Sequence, residues 1–238
     1  MRLLPLALLC LACAASAEPT VLPTVTTELK RDGTVLPYGR INELLTQLKQ
    51  HGEGLFRMDF AVDKDKTKVA LAGIRMVVRS DDADYPIRIA DDGAIELPLL
   101  PLAEAKSADL ATNVAKGQLA VRGTLRLTTP PEQLDLAKVR QVMRVARTLR
   151  EELLPFYLRW LFPRMQGVRI CSDTPTWELT WRENGQLLGL PLPAANEREP
   201  DTKKGDASRP CTLLTGQENW PEAARLLPPA NTKLSIKF

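Results

Sequence analysis

Histidine is nearly absent from this sequence, which contains only His51. Nucleophilic triads normally use a histidine as base, and no Gly-x-Ser-x-Gly or comparable nucleophile motif accompanies His51. Zinc hydrolysis is disfavoured as well, because a single histidine leaves too few ligands for the metal. The residue follows a predicted helix, where a positive charge interacts favourably with the helix dipole. We therefore expect no metal and no cofactor, and we identify no catalytic residue.

Long apolar stretches are lacking after the N-terminal region. A bilayer span takes about 20 apolar residues, so we expect no transmembrane segment in the mature chain. Residues 1–17 read MRLLPLALLCLACAASA, with a basic start, a short apolar run and Ala-Ser-Ala at the end. This pattern is typical of a secretory signal peptide and predicts cleavage after Ala17 and a periplasmic location. The alternative is lipoprotein processing at Cys13, but Cys10 stands where that signal has a leucine-like residue.

Cysteine is scarce, and removal of the signal peptide leaves only Cys171 and Cys211. Two thiols in an oxidising compartment predict one disulfide. It would close a loop of about 40 residues and stabilise the fold by up to roughly 4 kcal/mol. A redox or metal pair is the alternative, although the spacing is not Cys-x-x-Cys.

An excess of charge of one sign is missing too. The chain has 32 basic and 29 acidic residues, and the loss of Arg2 with the signal peptide leaves a net charge near +2. This balance gives no reason to expect a nucleic-acid partner. At roughly 220 residues, the mature chain can bury a core of its own. We predict an extended lead-in over residues 18–37 and a single β-rich domain over 38–238, with a disulfide-closed C-terminal part over 168–238.

Apolar residues alternate with polar ones along several segments, which is the pattern of half-buried strands. The predicted strands are Phe56–Val62, Val69–Arg79, Tyr85–Ala90, Ala94–Leu97, Gly117–Thr128 with a bulge at Gly123, Val168–Cys171, Thr176–Arg182, Gln186–Leu190 and Lys233–Phe238. The predicted helices are Gly39–Gln50, a long amphipathic one near residues 132–162 that kinks or restarts at Pro155, and Trp220–Leu227. These patterns predict an α+β fold, with an antiparallel β-sheet or sandwich, one long amphipathic helix and a short N-terminal helix.

Arginines recur along one side of the long predicted helix, at Arg140, Arg144, Arg147 and Arg150, with Arg159 and Arg164 beyond it. Helical spacing places much of this cluster on one face. The face could bind anionic lipid headgroups, lipopolysaccharide phosphates or an acidic partner. The alternative is an ordinary solvated face, partly neutralised by two neighbouring glutamates.

Two tryptophans, Trp177 and Trp181, lie on the same face of a predicted strand, some 13 Å apart at ~3.3 Å per residue. They could form a stacking platform for sugar rings. Leu179 lies between them, however, and favours a buried core face on which the aromatic rings pack inward.

The order of several short motifs supports a family resemblance. These motifs are the helix at Tyr38–Gln50, the run Pro86-Ile87-Arg88-Ile89-Ala90-Asp91-Asp92-Gly93, a Leu97-Pro98 step and the strand Gly117–Thr128. Over residues 36–170 the chain resembles uncharacterised exported proteins of proteobacteria that are catalogued as domains of unknown function. The resemblance implies a location in the cell envelope and no particular chemistry.

Together these observations predict an exported periplasmic protein with a binding or scaffolding role in the cell envelope rather than an enzyme. Its partner would be an envelope protein or ligand that the sequence does not identify. Two alternatives remain. One is an envelope hydrolase with paired carboxylates, because acidic residues are numerous and their distances are unknown. The other is peripheral binding to an anionic membrane surface through the Arg-rich helix.

Overall fold

The computed structural model describes residues 28–160, 162–200 and 207–238. The predicted signal peptide, its cleavage at Ala17 and the alternative lipoprotein site at Cys13 lie outside the described residues. The helices are α1 (Tyr38–His51), α2 (Leu102–Ala105) and α3 (Leu136–Thr148), which continues as a π-helical turn over Leu149–Leu153. Short 3₁₀ turns occur at Leu71–Gly73, Pro131–Gln133 and Phe156–Leu158.

The strands are short and, in chain order, are β1 (Lys30–Arg31), β2 (Phe56–Val62), β3 (Met76–Arg79), β4 (Asp84–Ile87), β5 (Ala94–Ile95), β6 (Asp109–Thr112), β7 (Val121–Leu127), β8 (Gly167–Cys171), β9 (Glu178–Glu183), β10 (Gln186–Pro191), β11 (Cys211–Leu214), β12 (Arg225–Leu227) and β13 (Lys233–Lys237). They form antiparallel sheets with the orders β1-β6-β3-β4, β5-β2-β7, β11-β8-β13 and β10-β9-β12. The predicted α+β fold, with its antiparallel sheets, long helix and short N-terminal helix, is therefore confirmed.

Helix α1 is fixed to the Pro98–Pro101 segment by a buried polar network. The Asn42 side chain accepts a hydrogen bond from the Leu100 N–H (2.9 Å) and donates one to the Leu100 carbonyl (3.0 Å). The hydroxyl of Tyr38 lies 2.7 Å from the Pro98 carbonyl, and burial raises the pKa of this phenol to about 12. The phenol therefore stays protonated and able to donate. Proline cannot donate the backbone hydrogen bond that a regular strand ladder needs. The Pro98–Pro101 segment is therefore held in place by hydrogen bonds from side chains of α1.

Helix α3 begins where Asp135 accepts a hydrogen bond from the Lys138 N–H at 2.7 Å, a standard N-cap interaction. Its helical structure ends at Leu153, two residues before Pro155. Proline has no amide hydrogen and its ring clashes with the preceding turn. The predicted break at Pro155 is thus confirmed, and the chain restarts only as the 3₁₀ turn Phe156–Leu158.

Two clusters of buried apolar side chains make up the interior, and α1 and β2 contribute to both. Leu44 and Phe56 belong to a cluster with α3, β8 and β9, whereas Ile41 and Phe60 belong to a second cluster with β3, β6 and α2. Met58 packs against both clusters. The two halves of the described fold therefore share one helix and one strand.

Among the differences from the sequence prediction, three concern features that were predicted. The strand predicted at Val69–Arg79 is confined to Met76–Arg79 and pairs in a different sheet from β2. Gly123 forms no bulge, because it lies in continuous register opposite Phe60; its lack of a side chain leaves room for that ring. The helix predicted at Trp220–Leu227 is absent, and Arg225–Leu227 instead pairs with β9.

Cys171 and Cys211 form a disulfide between directly opposed residues of β8 and β11. The bond confirms the predicted pairing and indicates an oxidising environment. The C-terminal half also contains largely buried ion pairs, in which Glu197 contacts Arg169 at 3.2 Å and Lys237 at 2.8 Å. These contacts join the segment after β10 to strands β8 and β13.

Candidate interaction surface

Arg140, the first member of the predicted arginine cluster, is occupied by contacts within the protein. Its guanidinium donates to the backbone carbonyls of Glu218 (2.7 Å) and Trp220 (3.3 Å) and pairs with the Glu222 carboxylate at 3.2 Å. Its Nε also donates to the carbonyl of Gly216. Arg140 therefore fastens the loop between β11 and β12 to α3 and is not available to a ligand.

The remaining members of the cluster differ in their surroundings. Arg144 and Arg147 are exposed, and neither has a hydrogen-bond or ion-pair partner among the described residues. Arg150 is partly buried, and its Nε has no hydrogen-bond partner in the described part of the chain. The structure thus keeps two of the four arginines, Arg144 and Arg147, as free surface charges.

Trp177 and Trp181 do not form an exposed pair. Trp177 is only 1% exposed and lies in the first apolar cluster. Trp181 is half-buried and packs against the same cluster. A ring that is covered by the protein cannot stack on a ligand, so the sugar-platform hypothesis is corrected: Trp177 lies in the core and Trp181 packs against it, which leaves no pair of exposed rings.

The most exposed aromatic side chains occur in one short segment after α3. Phe156 is 82% exposed, Trp160 60% and Tyr157 44%. We call residues 156–160 the aromatic turn. Aromatic residues are scarce in this chain, with twelve in total, and three of them are presented to solvent within five residues. Large exposed apolar side chains that occur together mark sites of association with another surface.

Buried neighbours and backbone hydrogen bonds hold the aromatic turn in place. Leu158 is buried within it, and Phe162 just beyond it packs edge-on against Phe56, with ring centroids 5.9 Å apart. The Arg159 side chain folds back and donates to the carbonyls of Glu151 (2.9 Å) and Leu154 (3.3 Å). The turn is therefore anchored, and its outward rings are presented by a fixed backbone.

A shallow cleft of about 350 Å³ adjoins the aromatic turn, where Tyr157 faces α1 and α2. Leu102, Arg40 and Lys106 line this cleft and are exposed. The Tyr157 hydroxyl lies 3.5 Å from the carboxylate of Glu43, which also lines the cleft. The cleft thus extends the aromatic surface and adds two cations to it.

Positive charge is concentrated in the part of the chain that carries the aromatic turn. Residues 138–164 contain seven Lys and Arg against two Glu, a net charge of +5, whereas the whole chain carries +3. The rest of the sequence therefore carries a net charge of −2. Arg164, on the far side of the turn, is largely exposed, although it pairs with Glu151 at 3.2 Å. Basic residues thus precede and follow the exposed rings.

A larger groove of about 710 Å³ lies elsewhere, between the ends of β7 and β13. Arg57 and Arg126 line it, but Asp59 pairs with both, at 3.1 and 2.9 Å. Lys233 in the same groove lies 4.0 Å from Glu199. Because its charges are balanced by its own neighbours, the groove has no strong preference for a charged ligand.

Several of the described carboxyl groups bind basic or amide side chains, as Glu197 does with Lys237 and Asp173 does with Asn231. Those with a shifted pKa are Asp84, Asp173, Glu197 and Glu199, and in each the pKa is lowered. The main causes are hydrogen bonds from Arg79, Asn231, Lys237 and Arg209, respectively. A general acid needs the opposite shift, because it must stay protonated near neutral pH.

The described ranges contain no group of three or more histidine, cysteine or acidic side chains placed to hold a metal ion. Within the same ranges, no helix has the length and apolarity that crossing a membrane requires. Comparisons with protein-family models, with curated proteins and with solved structures gave no match.

Sequence patterns did not identify the aromatic turn as a site. The segment after Pro155 is apolar and aromatic, a composition equally typical of a core. Which rings face outward depends on the break at Pro155 and on the burial of Leu158 and Phe162. The local signal that was available is the clustering of aromatic residues between Pro155 and Pro163, next to a basic helix.

Proposed function

We propose that this protein is an exported, non-enzymatic binding protein of the cell envelope that attaches to an anionic phospholipid surface through its aromatic turn. The observation that carries the proposal is the exposure of Phe156, Tyr157 and Trp160 on an anchored turn at the end of an arginine-rich helix. The attachment is peripheral, with the rings at the depth of the lipid headgroups.

Aromatic rings suit this position because tyrosine and tryptophan combine an apolar body with a polar tip. Fully exposed rings present about 150–250 Å² each, so Phe156 and Trp160 together expose on the order of 300 Å². At about 25 cal/mol per Å², burying half of that area contributes roughly 4 kcal/mol to membrane binding. Aromatic burial alone therefore supports a measurable affinity.

The local charge supplies the preference for anionic lipid. Arg144 and Arg147 have no partner among the described residues, and Arg40 and Lys106 lie exposed beside Tyr157. Each basic residue held near an anionic surface contributes about 1 kcal/mol. Outside residues 138–164 the sequence carries a net charge of −2, so the basic stretch, with the two cations beside Tyr157, is the part that an anionic surface attracts.

The four carboxyl groups with a shifted pKa do not support a role as general acid, which needs a raised pKa. Each shifted pKa is lowered by a cationic or amide partner, which keeps the carboxylate ionised and engaged.

Export to the periplasm, with cleavage after Ala17, is part of the same proposal and is supported by the disulfide.

Co-sedimentation with phospholipid vesicles tests the proposal. The mature protein is expected to bind vesicles that contain about 30% anionic phospholipid, and binding is expected to weaken at high salt because the charges are screened. Replacement of Phe156 and Trp160 together by alanine is expected to lower the bound fraction at least tenfold, since most of the exposed ring area is lost.

Leu227→Ala is the matched control, because Leu227 is an apolar side chain of β12 that is 57% exposed and lies away from the turn. This variant is expected to bind like the wild type. Equal binding by the double variant, or binding that does not depend on anionic lipid, would contradict the proposal.

A further inference from the structure

Strand β10 is an open edge of the sheet β10-β9-β12. It pairs with β9 over all six of its residues, and no described residue pairs with its other side. Its sequence, Gln-Leu-Leu-Gly-Leu-Pro, contains no charge. Natural edge strands are usually protected by lysine, bulges or very short length. Proline occurs in β10 only at its last position, Pro191, so most of the edge is unprotected.

The hairpin turn determines which backbone groups face the open side. Asn184 and Gly185 have φ values of 50° and 80°, the geometry of a two-residue type I′ turn. Such a turn makes Glu183 and Gln186 a hydrogen-bonded pair, and pairs alternate along an antiparallel ladder. The N–H and C=O groups of Leu187 and Gly189 therefore point away from β9.

Two charged side chains on β9 flank this edge on the same face. Arg182 is opposite Leu187 in the ladder and is exposed, with no ion-pair partner among the described residues. The Glu178 carboxylate reaches over Gly189 and fills the space that a side chain would take there, and no described cation pairs with it. An acidic group and a basic group thus lie about two residues apart along the edge.

We propose that a second copy of this chain pairs with the first along β10. The strands run antiparallel about a two-fold axis through Leu188, so Leu187 of each copy is opposite Gly189 of the other. This register lets the outward groups of both residues form four hydrogen bonds between the copies. In this register the outward N–H and C=O groups of Leu187 in one copy face those of Gly189 in the other, so every outward donor of these two residues meets an acceptor.

The same register pairs the two unpartnered charges. Glu178 of one copy lies over Gly189, and Arg182 of the second copy lies one strand beyond the opposing Leu187. Neighbouring strands are about 4.8 Å apart, so an arginine side chain lying over Leu187 can reach the carboxylate. The two-fold axis creates this pair twice. Charge complementarity therefore favours a second copy over an unrelated strand.

The predicted dimer is weak, because a single strand edge buries far less surface than a standard interface. We expect half-association at a concentration on the order of 0.1 mM. Sedimentation equilibrium of the mature protein from 10 µM to 1 mM is expected to show a monomer–dimer equilibrium, whereas a monomer throughout that range would overturn the proposal.

Leu187→Lys is expected to raise the dissociation constant at least tenfold, because it places one ammonium group on each side of the two-fold axis, one residue from it, within the interface. Leu187 is 66% exposed, so the substitution leaves the fold intact, as far-UV circular dichroism would verify. The matched control is Leu227→Lys on β12, which is expected to dimerise like the wild type. An unchanged dissociation constant in Leu187→Lys would overturn the proposal.

A charge exchange tests the register independently. Arg182→Glu and Glu178→Arg are each expected to weaken the dimer about fivefold, because like charges then face each other across the interface. The double variant restores opposite charges and is expected to recover wild-type association. Failure of the double variant to recover, with its fold intact, would overturn the proposed pairing.

Discussion

Asn42 shows how much of this fold depends on a single buried amide. Its side chain satisfies both backbone groups of Leu100, a residue that is itself buried. An amide at this position can both donate and accept, whereas an apolar side chain can do neither. The residue therefore joins α1 to a segment that has no ladder of its own.

We expect Asn42→Ala to lower the free energy of unfolding by about 2–4 kcal/mol, because two buried backbone groups lose their partners. Urea denaturation followed by circular dichroism measures this difference. Gln50→Ala, at an exposed position of the same helix, serves as the control and should change the stability by less than about 0.5 kcal/mol. Similar stabilities for the two variants would show that the network is not important.

Arg140 and Arg144 offer a comparison of two arginines on one helix. We expect Arg140→Ala to destabilise the protein by about 1–3 kcal/mol, since it removes charge-assisted hydrogen bonds to the loop over residues 216–222. Arg144→Ala should leave the stability within about 0.5 kcal/mol and weaken binding to anionic vesicles. Thermal unfolding and vesicle sedimentation of both variants check this division; equal destabilisation of the two would contradict it.

Helical spacing alone could place these arginines on one side of α3, but it could not separate their roles. The groups that engage Arg140 lie 76 to 82 residues later in the sequence. Contacts at that separation depend on how the β11–β12 loop packs against α3, and they produce no periodic pattern in the sequence around Arg140. For Trp177 and Trp181 the local pattern was sufficient, because an intervening leucine already indicated a core face.

At the level of elements, strong periodicity gave correct predictions. Helix α1, strand β2 and the β9–β10 hairpin were found because each has a regular apolar repeat or an Asn-Gly turn. The segment ending in Arg225–Leu227 was predicted as a helix because alanine, glutamate, arginine and leucine favour one. Its pairing with β9, which buries Leu226, overrides that propensity.

Strand β6 was missed for the opposite reason. Its four residues do not alternate, because Leu110 and Ala111 are both buried between β1 and β3. A short strand that is covered on both faces has no period of two. Its position in the sheet comes from partners about thirty and eighty residues away along the sequence, at β3 and β1, which no local window contains.

The ion pairs of the C-terminal strands make stability depend on pH. A hydrogen bond from Lys237 lowers the pKa of Glu197, and one from Arg209 lowers the pKa of Glu199. Because each folded pKa lies below the unfolded value near 4.5, protons bind more tightly to the unfolded chain. The stabilisation is therefore present above about pH 4.5 and is lost as the pH falls through the folded values.

We expect the unfolding temperature to fall steadily as the pH is lowered from 5 to 3, as measured by differential scanning calorimetry. Glu197→Gln should lose part of this dependence, because its amide does not titrate. Glu132→Gln, at an exposed position, should retain the wild-type dependence. A Glu197→Gln profile parallel to that of the wild type between pH 5 and 3 would contradict this assignment.

Across the whole molecule, the exposed aromatic rings and the excess positive charge occur in the same stretch, over residues 138–164. The overall composition reveals neither property, because the whole chain is nearly balanced in charge and poor in aromatic residues. The β10 edge lies on a different sheet from this stretch. A dimer formed there would leave the aromatic turn free. It would present two aromatic turns to one membrane, so that the dimer binds more tightly than a monomer although each turn makes the same contacts.

The central claim is that Trp160 enters the headgroup region of an anionic bilayer, and quenching by brominated phospholipids tests it most directly. Of the four tryptophans, Trp160 is the most exposed, whereas Trp177 is buried and the other two are partly buried. Adding anionic vesicles with bromine on the upper acyl chain should quench the wild-type protein strongly, and Trp160→Phe should remove most of that quenching while binding is retained. Equal quenching of the two proteins, or no quenching of the wild type, would contradict the account.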